Sequence, residues 1–172
     1  MLLVVPDAEV VVIVAFSFGN RIGADGLIEP GPINRQLAVA ATKANAMTGA
    51  TVVAQWEIAR ILLGQPLPPA EIIHSIDPVS RPDGTVHYLN TAGVARAVAE
   101  LLAAPAGGAV AVVAHTDHAA RCGDELGRRS LRAGVLAGVE LPTGYDPLSG
   151  QPWTRSPSRY LAHEARVRPA PS

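Results

Sequence analysis

Short apolar runs alternate along this chain with longer stretches in which apolar residues return every third or fourth position, and that alternation is its main structural signal. The first and strongest run, Glu9 to Phe16, is Val-rich and apolar enough to lie centrally in a sheet. It empties into Ser17–Gly26, a glycine-rich loop. Pro30-Gly31-Pro32 then opens a predicted helix whose apolar stripe is Ile33, Leu37, Ala40, Ala41, Ala44 and Met47, with Gly49 as its C-cap. Thr51–Ala54 predicts a second strand, and Ile58, Ile61 and Leu62 a second helix that Gly64 ends. A loop containing Pro66, Pro68 and Pro69 leads to a third predicted strand, Glu71–Ile76.

Asp77–His87 is a polar connection with a turn signal at Asp83-Gly84. Asn90 or Thr91 caps a helix carrying Val94, Val98, Leu101 and Leu102. Pro105–Gly108 returns the chain to Ala109–Ala114, a continuous apolar run suited to a strand buried on both faces. A helix is expected over Ala119–Ala133 with Gly134 as its stop, then a weaker fifth strand, Val135–Leu141, interrupted by Gly138. Ser156-Pro157 begins a last helix, Ser158–Val167, which tucks Tyr160 and Leu161 against the body. Strand–helix units repeated in this way mean right-handed βαβ crossovers. The expected fold is α/β: a three-layer Rossmann-like sandwich of about five mainly parallel strands with helices on both faces. Residues 1–172 read as a single domain, with a C-terminal loop and helix at about 143–168 packed on it.

Composition narrows the class without naming a reaction. A hydrophobic content of 48% with 17% charged residues fits a folded globular chain, and a net charge of −1 provides no global field for nucleic acid. No apolar stretch approaches the ~20 residues that span a bilayer, and Met1–Val5 lacks the charged start and cleavage site of a signal peptide. The single cysteine, Cys122, fits a reducing cytoplasm and reads as a buried small hydrophobe. Of the basic residues 13 are Arg, seven of them from Arg128 onward, which leaves a basic C-terminal face as one option.

Parallel strands bring their carboxyl ends to one edge, so four polar clusters distant in sequence should converge there: Ser17/Gly19/Asn20, Gln55/Glu57, Asp77/Ser80 and His115/Asp117/His118. Ser17–Gly26 contains neither GxGxxG nor GxxxxGK[ST], and no G-x-S-x-G elbow occurs in the chain. His115-x-Asp117-His118 invites a metal reading, but further ligands at diagnostic spacing are lacking, so no metal is assigned. Arg35 lies in the first turn of its helix, where a cation opposes the dipole and either reaches solvent or meets an anion.

These residues also carry a family resemblance. An initial strand, a helix with an early Arg (Arg35), a Glu after the second strand (Glu57), an Asp-x-x-Ser segment with an Asn/Thr pair (Asp77, Ser80, Asn90, Thr91) and a strand leading into His-x-x-Arg (His118, Arg121) resemble the bacterial family that includes YdcF, SanA and ElyC. The resemblance spans roughly Val10–Arg132. The family's Ser-Gly-Gly turn is replaced here by Ala54-Gln55-Trp56, and Asp77–Thr91 is stretched. What the resemblance implies is a Rossmann-like fold with a strand-end pocket for a small anionic or nucleotide-like ligand, S-adenosylmethionine among the options.

The expectation is thus a cytoplasmic domain whose partner is a small anionic molecule, with no nucleic acid and no membrane. Whether it is an enzyme, and its oligomeric state, stay open. His118 and Glu57 are the candidate acid–base residues, and Ser17, Gly19, Asn20, Arg35, Gln55, Asn90, Thr91, His115 and Arg121 the candidate ligand contacts. One alternative is a metal-dependent hydrolase using the His-x-Asp-His loop. The other is a non-catalytic interaction protein with Trp56, Trp153 and the Arg-rich tail as its surface.

Overall fold

The computed structural model describes residues 3–65, 73–102 and 107–167. The expected loop at Pro66–Pro69, the start of the third strand at Glu71-Ile72, and Pro105-Ala106 lie outside the described residues. In chain order the elements are β1 (Val4–Val5), β2 (Val10–Ala15), β3 (Arg21–Ile22), β4 (Ile28–Glu29), α1 (Pro32–Thr48), β5 (Thr51–Gln55), α2 (Trp56–Leu63) and β6 (Ile73–Ile76). They continue with β7 (Val79–Ser80), β8 (Val86–His87), α3 (Thr91–Leu102), β9 (Ala109–Val113), α4 (Thr116–Gly127), β10 (Ala133–Leu136) and α5 (Pro157–Val167).

Six strands form one sheet in the order β1-β10-β9-β2-β5-β6, and every neighbouring pair is parallel. Alternate side chains of β2 divide the interior. Ile13 and Ala15 face a layer built from Leu37 and Ala41 of α1 and Ile58 and Leu62 of α2. Val12 and Val14 face Val94 and Val98 of α3 and Cys122 and Leu126 of α4. Taken from β6 through β5, β2, β9 and β10, the order is that of a doubly wound sheet, and it reverses between β2 and β9. That reversal is what positions a site.

Several local expectations change. The helix after β9 ends at Gly127 instead of reaching Ala133. Ser130, at φ 62°, takes the left-handed position, its N–H donates to Gly127 O, and Leu131 N–H donates to Leu126 O. This is a Schellman closure built on serine where glycine is usual, and Leu126 and Leu131 pack together beneath it. Gly134 therefore lies inside β10, where a Cβ would come within 2.4 Å of the Leu3 carbonyl oxygen. The short strand β1, absent from the sequence reading, occupies the edge that this close approach creates. The glycine-rich loop holds β3 and turns at Gly26 into β4 to form the β3–β4 hairpin, and the polar connection contains the β7–β8 hairpin with Gly84 at φ 79°. Met47, Leu101 and Leu161, expected inside, are exposed.

Gly134→Ala should therefore push β1 off the sheet and destabilise the protein by about 1–3 kcal/mol in urea titration. Gly127→Ala, with open space around it, should be neutral or slightly stabilising.

Candidate functional site

In a doubly wound sheet the crevice at the reversal point, here between β2 and β9, is the usual ligand position. The chain fills that crevice itself. Phe18, from the loop after β2, stacks on His115 with centroids 4.0 Å apart and planes 11° apart. Tyr160 of α5 is buried against both Phe18 and His118. The segment between β10 and α5 straps this plug in place. Tyr145 donates to Asp117 Oδ2 at 2.6 Å, Asp146 pairs with Arg21 at 2.8 Å, and Gly150 N–H donates to Asn20 O at 2.8 Å. Gly19, at φ 73°, is the seat of the strap: a Cβ there would come within 2.8 Å of Ser149 Oγ and Thr154 Oγ1.

His115 is a helix cap. Its Nδ1 accepts from Asp117 N–H at 3.2 Å, so its Nε2–H donates to Gly144 O at 2.9 Å. Both ring nitrogens are engaged, and among the described residues no three His, Cys, Asp or Glu side chains converge as a metal site. His118 is different. Its Nδ1 accepts from Tyr160 Oη–H at 3.0 Å and from an Arg121 guanidinium N–H at 3.3 Å. Arginine only donates, so the ring proton sits on Nε2. Burial first, then the Arg121 charge and the neighbouring His115 and His163, hold the His118 pKa well below its ordinary value, and the ring is neutral. Arg121 is in turn paired with Glu164 of α5 at 2.8 Å.

A cleft of about 1070 Å³ opens beside the plug, on the β5–β6 side. Ser17, Asn20, Gln55, Glu57, Asn90, Thr91, His118 and Arg121 all line it, together with Trp56, Asp77, Tyr88 and Trp153. Gln55 Oε1 accepts Ser17 N–H at 2.8 Å and ties the ends of β2 and β5 together. Asn90 caps α3 by accepting Gly93 N–H at 2.9 Å. Glu57, in the first turn of α2, is only 3% exposed. Burial pushes its carboxyl up to about 7, against the opposing pull of its own N–H and the Ser17 hydroxyl. Its Oε2 is buried with no hydrogen-bond partner among the described residues. A carboxyl that titrates near neutrality in a cleft is suited to acid–base work.

Ser80 and Asp117, from the clusters expected to converge, do not line the cleft, and neither do three of the candidate ligand contacts. Gly19 lies beneath the strap, His115 lies in the plug, and Arg35 is exposed outside the lining. The first-turn residue that shapes the site is Asn34, fully buried, which accepts Phe18 N–H at 2.9 Å and donates to Gly19 O at 2.7 Å. An Asn opening a helix after a glycine-rich loop was the available signal. Tyr160 was expected to pack against the body, as it does, but its contact with His118 and the role of Glu164 depend on where α5 docks.

The fold is a Rossmann-like α/β sandwich, with a polar cleft at the carboxyl edge of its parallel sheet. No helix among the described residues is long and apolar enough to cross a membrane. No family model matches the chain, and no curated protein or solved structure matches it.

Glu57 also fixes a pH dependence. Unfolded, its carboxyl loses a proton near 4.5; folded, it holds that proton to about 7. Between those values the native state binds more protons, so stability falls as pH rises through the window and then levels off. Glu57→Gln should remove this slope and exceed the wild type by up to about 3 kcal/mol at pH 8, with little difference at pH 4, in parallel urea titrations.

Proposed function

We propose that this chain is a cytoplasmic YdcF-like α/β domain that binds a small anionic or nucleotide-like ligand in the cleft beside the β2 and β5 strand ends. The observation that carries this reading is convergence. Residues nominated by their places after β2, β5, β6 and β9 share one cleft, although up to about a hundred positions separate them in the chain. The N-terminus of α2 borders the cleft without a side-chain cap, so its amides are the natural receptors for negative charge. Arg121 adds a guanidinium already oriented by Glu164. If the domain catalyses a reaction, the chemistry the groups suit is transfer or hydrolysis at a phosphate-like centre, with Glu57 and the neutral His118 as the acid–base pair. The metal-hydrolase alternative has less support, because both nitrogens of His115, one of its three ligands, are engaged by backbone groups.

A thermal-shift screen of nucleotides, S-adenosylmethionine and sugar phosphates tests the reading. A true ligand at roughly a hundredfold its Kd should raise Tm by about 5 °C or more. His118→Ala should abolish the shift and Arg35→Ala should leave it intact. A panel with no stabilising member, or a shift indifferent to His118, overturns the cleft as the ligand site.

A further inference from the structure

His118 turns its two ring nitrogens to different neighbours. Nδ1 accepts from Tyr160 Oη–H at 3.0 Å and from an Arg121 N–H at 3.3 Å. Tyr160 belongs to α5, and Arg121 is itself paired with Glu164 of α5. The other nitrogen carries the proton, and Nε2–H has no hydrogen-bond partner among the described residues. His118 is 5% exposed, yet unlike Trp56 Nε1 and Glu57 Oε2 its Nε2 is not sealed from solvent, so this N–H opens on the cleft that the residue lines. An N–H so nearly buried calls for an acceptor. An oxygen of the ligand is the group that answers it.

The helix behind that ring is lightly held. Of the eleven residues of α5 only Tyr160 and Glu164 are buried, and Leu161 is 64% exposed. Tyr160 packs on Phe18 and bonds His118, and Glu164 pairs with Arg121. The strap that precedes α5 is fixed without its help: Arg155 Nε–H donates to Ser149 O at 2.7 Å, and Asp146 holds Arg21. Motion of α5 about Ser156-Pro157 therefore leaves the strap and the sheet in place. A helix with so few buried groups opens at a lower cost than the sheet unfolds. The same helix is a wall of the cleft, to which it contributes Tyr160, His163, Ala165 and Val167. A ligand that fills the cleft meets this wall only when α5 is docked.

We infer that α5 is a clamp, and that its docking and the occupancy of the cleft reinforce each other through the His118 ring. A ligand oxygen that accepts from Nε2–H makes Nδ1 a better acceptor and tightens the bond from Tyr160. In return, the Tyr160 hydroxyl on Nδ1 makes Nε2–H a better donor to the ligand. Linkage requires the two effects to be equal in size. The clamp rests on the cleft being the ligand site proposed above and supplies that site with its regulation: α5 admits the ligand when lifted and retains it when docked.

Hydrogen exchange of the full chain, read at α5 amides without ligand and with AMP or inorganic phosphate, tests the clamp. Without ligand, α5 should exchange at least about tenfold faster than β2, through local opening. Either probe, at about a hundredfold the Kd that isothermal titration gives it, should slow α5 at least about tenfold and leave the last turn of α1, beside the start of β5, unchanged. Tyr160→Phe keeps the ring that packs on Phe18 and loses the hydroxyl. Its ligand-free α5 should exchange about fivefold faster. The slowing that the probe produces should also shrink about fivefold in this variant, which a purely structural hydroxyl would not cause. A bound probe with α5 exchange unchanged, a slowing equal in wild type and Tyr160→Phe, or an α5 that exchanges no faster than β2 overturns the clamp and leaves the ligand-binding cleft. If titration shows neither probe bound, the clamp falls together with the anion reading on which it rests.

Discussion

The contact on which the site depends is the hydrogen bond from the Tyr160 hydroxyl to His118 Nδ1, made inside the crevice between β2 and β9. It joins the last helix to the fourth strand–helix turn across 42 residues, and three consequences follow from it. It holds the His118 ring in place, while the Arg121 N–H beside it fixes the ring proton on Nε2. It fills, with Phe18 and His115, the space where a doubly wound sheet normally receives a ligand. It also draws the strap from Tyr145 to Thr154 over the carboxyl edge, so the remaining opening lies toward β5 and β6.

The strap is held largely by polar contacts, and this shapes the charge of the site. Arg121 and Glu164 are nearly buried together, and Asp146 accepts two bonds from Arg21 while its pKa is drawn down by that arginine. The largely buried Arg121–Glu164 pair contributes little net stability, because desolvation offsets its attraction, but breaking it leaves an expensive lone charge. The Arg21 side chain is 43% exposed, and solvent weakens its pair with Asp146. Their effect is therefore on geometry: each pair fixes where the C-terminal segment lies. Apolar contact alone would give less definition, since Tyr160 is a single large side chain among smaller ones.

The same arrangement gives each side chain of the His-x-Asp-His string a partner within the fold. Its first histidine closes a helix and receives the strap, its aspartate receives Tyr145, and its second histidine is neutral through burial. The residue whose chemistry stands out is Glu57, which no comparable partner neutralises and which burial has moved into the physiological range.

The layers, the parallel sheet and the edge where polar groups gather were legible from the sequence, because each rests on local periodicity. Buried strands need continuous apolar runs, helices need a repeating stripe, and parallel strands must all end on one side. Glu57, His118 and Gln55 were visible for that reason alone, as polar residues just past strand ends. What the sequence could not convey rests on long-range contact. Gly134 reads as a helix stop until the Leu3 carbonyl is seen against it, and Ser130 hides a helix end because serine rarely takes a left-handed turn. Arg35 and Asn34 are neighbours of similar promise, and only the packing of α1 under the β2 loop decides that Asn34 is the one that shapes the site. Which side of the reversal point stays open was likewise settled by docking α5, since local propensity specifies a helix but not the surface that receives it.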